Sequence, residues 1–258
     1  MTAPMAFSAS GGPGAKFINY YDIIAQNLGF QPNGDTYDQY KVFVPLLASI
    51  TILLVLVIVG FLYKKAAGKK ISSQDIAPAS SFGLMTFIEM ILGFVTDMAD
   101  DVIGKNESRK HYSLLCSLFL YIFFSNLSGL IPGFPPATEN FSINLALAAV
   151  VFLWYNLAGI KEHGGAYIKQ FIGPFVVLIP LMFLIEFIGH LVRPVSLGLR
   201  LYGNIFGDHL VMSVFTSLSY VVVPGLLLFF GLLVATIQSF IFTLLSSIYI
   251  SMAVSHDH

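Results

Sequence analysis

Long apolar runs separated by short polar links make up most of this chain. From Val42 to Tyr63 about 22 residues pass without a charge. At ~1.5 Å of rise per helical residue such a run crosses the ~30 Å of bilayer hydrocarbon, so it predicts a membrane span over 42–63. It closes on Lys64-Lys65-Ala66-Ala67-Gly68-Lys69-Lys70. Two further spans follow, at 112–131, ended by Ile131-Pro132-Gly133, and at 143–160, ended by Lys161-Glu162-His163-Gly164-Gly165.

Two stretches break this simple pattern. Over 82–104 apolar residues recur at helical spacing, but Glu89, Asp97, Asp100 and Asp101 interrupt them. The charge-free pieces are too short to span, which predicts an amphipathic helix at the membrane surface with a solvated acidic face. The last third, 174–254, is apolar and far too long for one upright crossing. A continuous helix from Pro174 to Ser219 would extend ~67 Å, so it must break at Pro180 or Pro194 or lie steeply tilted. Val221-Val222-Val223-Pro224-Gly225 reads as a turn, followed by a second arm over 226–254. The expectation is a hairpin of two long, tilted helices. Ahead of all this, residues 1–41 are polar and mixed, with one short helix predicted from Phe17 to Leu28 and no signal-like or transit-like presequence.

Composition places the chain in lipid. It is 56% hydrophobic and 10% charged with a mean hydropathy of +0.80, whereas soluble domains carry about 25% charged residues. The 13 basic and 14 acidic residues nearly cancel, which argues against a nucleic-acid partner. The lone Cys116 has no disulfide partner and reads as a small buried hydrophobe. Lys64/Lys65/Lys69/Lys70, Lys105/Arg109/Lys110 and Lys161/Lys169 all fall on one side if the spans alternate, and the loop 132–142 has no lysine or arginine. The positive-inside rule then puts residues 1–41 outside and the C-terminus inside. The fold class is an all-α integral membrane protein with about five embedded helices plus the surface helix, a membrane domain over 42–258.

Ionisable groups inside the first hairpin arm change the picture from anchor to machine. Glu186, His190, Arg193, Ser196, Arg200, Asn204, Asp208 and His209 fall in one apolar stretch, and a charge in mid-membrane normally faces a cavity or a partner. At ~100° per residue all but His209 occupy roughly a third of the circumference. Arg200 stands between proton-carrying groups: Glu186 and His190 lie up to ~21 Å before it, and Asp208 follows ~12 Å after. Arginine does not give up its proton in proteins, so it blocks a straight leak between two proton-accessible regions. It also favours proton release from a carboxylate brought close. Such a carrier is absent from this arm, so a partner must bring it. The second arm offers one large polar group over 226–245, Gln238, seven residues from Gly231.

Pro194-Val195-Ser196-Leu197-Gly198-Leu199-Arg200-Leu201-Tyr202-Gly203-Asn204 resembles the signature of subunit a of F-type rotary ATP synthases, and Thr236-Ile237-Gln238-Ser239-Phe240-Ile241-Phe242-Thr243 resembles that family's last-helix motif. Weaker likeness runs through Ile88–Val95, Ser125-Asn126-Leu127 and Leu130-Ile131-Pro132, covering about residues 86–252. The resemblance implies a stator that forms two offset proton half-channels against a c-ring, held by peripheral stalk subunit b, with proton flow driving rotation and ATP synthesis. It implies that Arg200 faces the rotor carboxylate, that Asn204 and Gln238 lie near it, that Glu186 and Ser196 line the inner half-channel and that His209 belongs to the outer one. The chain departs from the family at Gly231, where members often carry an acid or histidine, and at Gly129, where some carry a carboxylate. Asp208, beside His209, is the acid we take as the replacement at Gly231, and Glu139, in the nearby outer loop, is taken as an entry group.

The pattern calls for no cofactor and no metal; Glu186 and His190 at i, i+4 supply only two ligands. Membrane lipid, the transported proton and the other subunits are the expected partners, and a bacterial inner (plasma) membrane the expected location, with an organelle inner membrane as the alternative. The chain has no catalytic motif of its own. A self-contained secondary transporter or channel is the competing function, weakened by the absence of an internal repeat. His190 and Arg193 are left open between packing and transport.

Overall fold

The computed structural model describes residues 19–30, 37–67, 83–131, 133–164, 179–216 and 222–254, and every regular element among them is helical. Among the described residues four helices are long and apolar enough to cross a membrane: Val42–Leu62, Phe141–His163, Leu181–Asp208 and Gly225–Val254, with Tyr112–Ser128 a shorter apolar helix. The protein is an all-α integral membrane protein. The chain forms two compact units, divided between Pro136 and Ala137.

Among its described residues the first unit holds five helices. α1 (Tyr20–Asn27) starts where the Asn19 side chain accepts from the Tyr21 N–H at 2.9 Å, an N-cap that satisfies a donor left over at the helix start. α2 (Tyr37–Ala67) overruns the expected 42–63 at both ends. Polar residues beyond the hydrocarbon do not stop a helix; they only end its apolar part. Its hydroxyls find partners: Thr51 Oγ1 donates to the Leu47 carbonyl at 2.8 Å, and Ser49 Oγ lies 2.6 Å from the Tyr121 hydroxyl.

α3 (Leu84–Ile103) follows the expected surface helix closely. Ile88, Ile91, Val95 and Ala99 are buried, while Phe87, Met90 and Phe94 form an exposed apolar row beside them. That row is what a helix lying in the headgroup layer offers to acyl chains. The acidic face is less passive than its composition suggested. Asp100 accepts hydrogen bonds from the Ser108 and Tyr112 hydroxyls, tying α3 to α4 (Lys105–Ser108) and α5 (Tyr112–Ser128). These two bonds hold its carboxyl below the usual carboxylate range. His111, buried just ahead of α5, is pushed down by burial. Cys116 is a part-buried free thiol. After α5 the chain folds back so tightly that a Cβ on Gly129 would stand 2.9 Å from the Pro136 ring. A carboxylate at 129 is therefore excluded by packing.

The second unit holds a 3-10 turn (Ala137–Glu139), α6 (Phe141–His163), α7 (Ile179–Thr216) and α8 (Val222–Val254). Asn140 caps α6, accepting from the Ser142 N–H at 2.9 Å. α7 does not break: Pro194 lies inside one continuous helix of 38 residues. A break at Pro180 or Pro194 is not found, and the 38 residues make about 57 Å of helix. The expected turn at 221–225 is also revised. α8 already begins at Val222 and takes in Pro224 and Gly225; a proline in the first helical turn loses no hydrogen bond. The residues joining the arms, the expected arm start at Pro174, the tails, and Lys69, Lys70 and Lys169 lie outside the described residues.

The core of this unit is built from Ala148, Val151 and Tyr155 of α6, Leu197, Leu201 and Ile205 of α7, and Ala235, Phe242 and Ile250 of α8. α8 also buries Ser239, Thr243, Ser246 and Ser247, each donating its hydroxyl to the carbonyl four residues back. Small side chains satisfied on their own helix permit close helix approach in lipid.

Candidate functional site

Because α7 is continuous, the polar stripe keeps its helical phase. Leu197, Leu201 and Ile205 mark the buried face. Ser196, Arg200 and Asn204, four residues apart in turn, run along the margin where that face meets the exposed surface, with Glu186 and Asp208 exposed farther along the helix. Hence the site is an edge of a packed helix, open on one side.

Arg200 is exposed, and among the described residues its guanidinium has no hydrogen bond or ion pair. One turn on, the Asn204 Nδ2 donates to Gln238 Oε1 of α8. Gln238 is 2% exposed, and its Nε2 is buried without an acceptor among the described residues. An unsatisfied buried donor costs about 1–3 kcal/mol. An amide pair thus lies one turn from the cation, with its spare donor buried within the unit.

Two residues before Arg200, on the packed side, α7 is held by a close approach. A Cβ on Gly198 would lie 3.3 Å from the Asn144 carbonyl oxygen of α6. Asn144 itself is fully buried and donates through Nδ2 to the Thr138 carbonyl at 2.7 Å. Phe141 meets Tyr202 edge-on at 5.8 Å between ring centres. These contacts bring the turn that carries Glu139 against the Gly198–Tyr202 stretch of α7, and Glu139 is exposed there.

Toward the start of α7 the groups regroup. Glu186 pairs with Arg193 at 4.0 Å across two helical turns. His190 leaves the stripe: at 8% exposure its ring sits against Phe152 and Tyr155 of α6, and its Nε2 lies 2.9 Å from Asn156 Oδ1. Arg193 stacks over the Tyr249 ring of α8 at 5.7 Å, within cation–π range. The His209 side chain lies outside the described residues. Gly231 is half-buried in α8. No cluster of three or more metal-ligating side chains occurs among the described residues.

The structure therefore brings Asn204 to Gln238, Glu186 to Arg193 and the Glu139 turn to the level of Arg200, and it takes His190 away to α6. Sequence reasoning passed over Asn144, Asn156 and Tyr249. The two asparagines had a visible signal, a carboxamide inside an apolar run; Tyr249 had none, since a tyrosine near a span end is ordinary.

Comparison with known proteins supplies the context. The family model described as ATP synthase A chain matches residues 43–251. The chain is 44% identical to ATP synthase subunit a of Bdellovibrio bacteriovorus over 202 residues, covering 78% of this chain and 86% of that one. It is 38% identical to ATP synthase subunit a of a Geobacter species (strain M21) over 242 residues, covering 94% and 97%, and 37% identical over the same length to that of Citrifermentans bemidjiense.

Proposed function

The chain belongs to the ATP synthase A chain family, and from that premise we propose that Arg200 is the cation against which a rotor discharges its protons. The chain's role is that of the stator subunit a in the membrane sector of a rotary ATP synthase, working in complex with the other subunits. That role displaces the self-contained transporter as a reading.

The partner facing the open edge of α7 is a c-ring, with peripheral stalk subunit b holding the stator, in a bacterial plasma membrane. A protonated rotor carboxylate arriving at Arg200 meets a fixed positive charge in a medium of low dielectric. The charge lowers the carboxyl pKa, so the proton leaves toward the inner half-channel lined by Glu186 and Ser196. The resulting carboxylate pairs with Arg200, one turn from the Asn204 amide that Gln238 holds. Arg200 keeps its own proton throughout. Rotation carries the carboxylate past Arg200, and a proton from the outer side, by way of Glu139, Asp208 and His209, neutralises it before it re-enters lipid. Glu186 and Ser196 precede Arg200 on α7 and Asp208 and His209 follow it, so no proton passes along α7 without a rotor step.

The observation that carries this reading is the exposed, unpaired Arg200 beside an amide pair with an unused buried donor. A charged group in the membrane costs about 2.5–3.5 kcal/mol on insertion scales, and a site with no counter-ion among the described residues is suited to one that comes and goes. The test is ATP-driven proton pumping in vesicles carrying the assembled complex with Arg200→Ala beside wild type, assembly being verified by co-purification of the c-ring. Loss of pumping in an assembled complex is expected. Normal pumping in the mutant defeats the reading.

A further inference from the structure

Pro194 has no N–H and cannot donate to the carbonyl of His190, four residues back. α7 thus lacks a rung of its own ladder six residues before Arg200, at a position where helices ordinarily kink. The surrounding side chains are arranged around this gap. Asn156 Nδ2 donates to the Phe152 carbonyl at 2.7 Å, which fixes the orientation of its amide and turns Oδ1 toward His190. Since Oδ1 only accepts, the His190 Nε2, 2.9 Å away, carries a hydrogen and donates it. The imidazole is clasped by Phe152 at 5.0 Å and Tyr155 at 5.4 Å between ring centres. One turn on, Arg193 lies over Tyr249 of α8, and Tyr155 closes the circuit to Tyr249 at 6.0 Å. Three helices are joined at the single place where α7 is weakest.

We infer that His190, with Asn156 as its acceptor and the Arg193–Tyr249 stack as a second tie, is a positioning residue that braces α7 at Pro194 and so aims Arg200 at its partner. His190 is not a proton carrier in this arrangement: its Nε2 hydrogen is committed to an acceptor on another helix, and its ring is packed between aromatic side chains on the buried side. The lever is short. Arg200 stands about 9 Å along the helix from Pro194, so a bend of about 6° there moves it by about an ångström. A misplacement of that size costs up to about a hundredfold where geometry governs the rate. The inference rests on the stator reading, since it takes Arg200 as the group to be aimed.

The experiment uses the whole assembled complex in vesicles and measures protons pumped per ATP hydrolysed, with Arg200→Ala run beside each variant. His190→Gln keeps an N–H donor for Asn156 but no group that titrates near neutral pH. His190→Phe keeps the aromatic packing and loses the donor, and Asn156→Leu removes the acceptor. The expected result is that His190→Gln retains most of the wild-type ratio, while His190→Phe and Asn156→Leu lose about tenfold with ATP hydrolysis still running. Tyr249→Leu, which removes only the ring under Arg193, gives a smaller loss in the same direction. It also keeps the test open if His190→Phe fails to assemble. A His190→Gln complex as inactive as Arg200→Ala overturns the inference and makes His190 a carrier. Wild-type ratios in His190→Phe, Asn156→Leu and Tyr249→Leu together overturn it as well. Normal pumping by Arg200→Ala is a separate result, sinking the stator reading itself.

Discussion

α2 and α7 face the same solvent problem and solve it differently. Both are long apolar helices with an internal proline, Pro45 and Pro194. Within its span α2 carries no ionisable group, and its hydroxyls at Ser49 and Thr51 are absorbed by Tyr121 and by its own Leu47 carbonyl. α7 carries Glu186, His190, Arg193, Arg200 and Asp208 in a comparable length. Membrane insertion alone selects for α2. The charges of α7 oppose insertion, and most are compensated locally: Glu186 by Arg193, His190 by Asn156. Arg200 is the cation that no described residue compensates, and it is also the one flanked by an amide pair on the open edge. What distinguishes a working helix from an anchoring one is therefore an ionisable group left open beside others that are carefully paired.

The comparison breaks if α2 tolerates what α7 carries. Leu54 of α2 is 55% exposed in mid-span, with no polar group of α7's kind to meet it. Leu54→Arg places a cation there at a cost of about 2.5–3.5 kcal/mol, on the order of a hundredfold against insertion. We expect the amount of membrane-inserted subunit, read by quantitative blotting of washed membranes, to collapse. An insertion level equal to wild type means that the surroundings accept charge generally, and the unpaired state of Arg200 then loses its force.

A smaller effect separates the acids within α7. Asp208→Asn preserves size and polarity and removes only the ionisation. If Asp208 supplies the acid that Gly231 cannot, ATP-driven pumping falls about tenfold or more, in the range typical of losing a proton-transfer group, with assembly intact. Unchanged pumping assigns the outer path to other groups, Glu139 first, because its turn packs against α7 beside Arg200.

Most of the element pattern was legible because the physical signals for insertion are strong and local. α3 and α6 begin and end within a few residues of where charge, glycine and capping asparagine place them. One expectation is overturned, and it concerns a proline. Pro194 left both a break and a continuous helix open, and α7 runs on through it; Pro224 reads as a turn, yet it sits in the opening turn of α8, where its missing N–H does no harm. Arg200, Asn204 and Gln238 were legible because a polar group stands out in an apolar run. The sorting of His190 from its stripe was not, since helical phase places it beside Asn204 and only the packing of Phe152, Tyr155 and Asn156 draws it to α6. Likewise Gly198 reads as a small residue until the Asn144 backbone is seen against it.

The smallest expected effect concerns an acid with a different use. Asp100 accepts from Ser108 and Tyr112, and these bonds hold its pKa below the ordinary carboxylate value near 3.9. In the unfolded chain Asp100 takes its proton first as pH falls. Its contribution to the α3–α4–α5 junction is therefore fully present above about pH 3.9 and lost as pH drops through the lower folded value. Amide exchange over residues 100–112, referred to the intrinsic rate at each pH, tests this on the detergent-solubilised complex. Protection is expected to hold from pH 7 to pH 5 and to fall toward pH 3. Asp100→Asn, which keeps a carbonyl acceptor but cannot ionise, should lower protection at every pH and remove the acid-dependent fall, with pumping at neutral pH changed less than about twofold. Loss of pumping as deep as that of Asp208→Asn places Asp100 on the proton path. In that event the line drawn between acids that fasten helices and acids that move protons does not follow their hydrogen bonding.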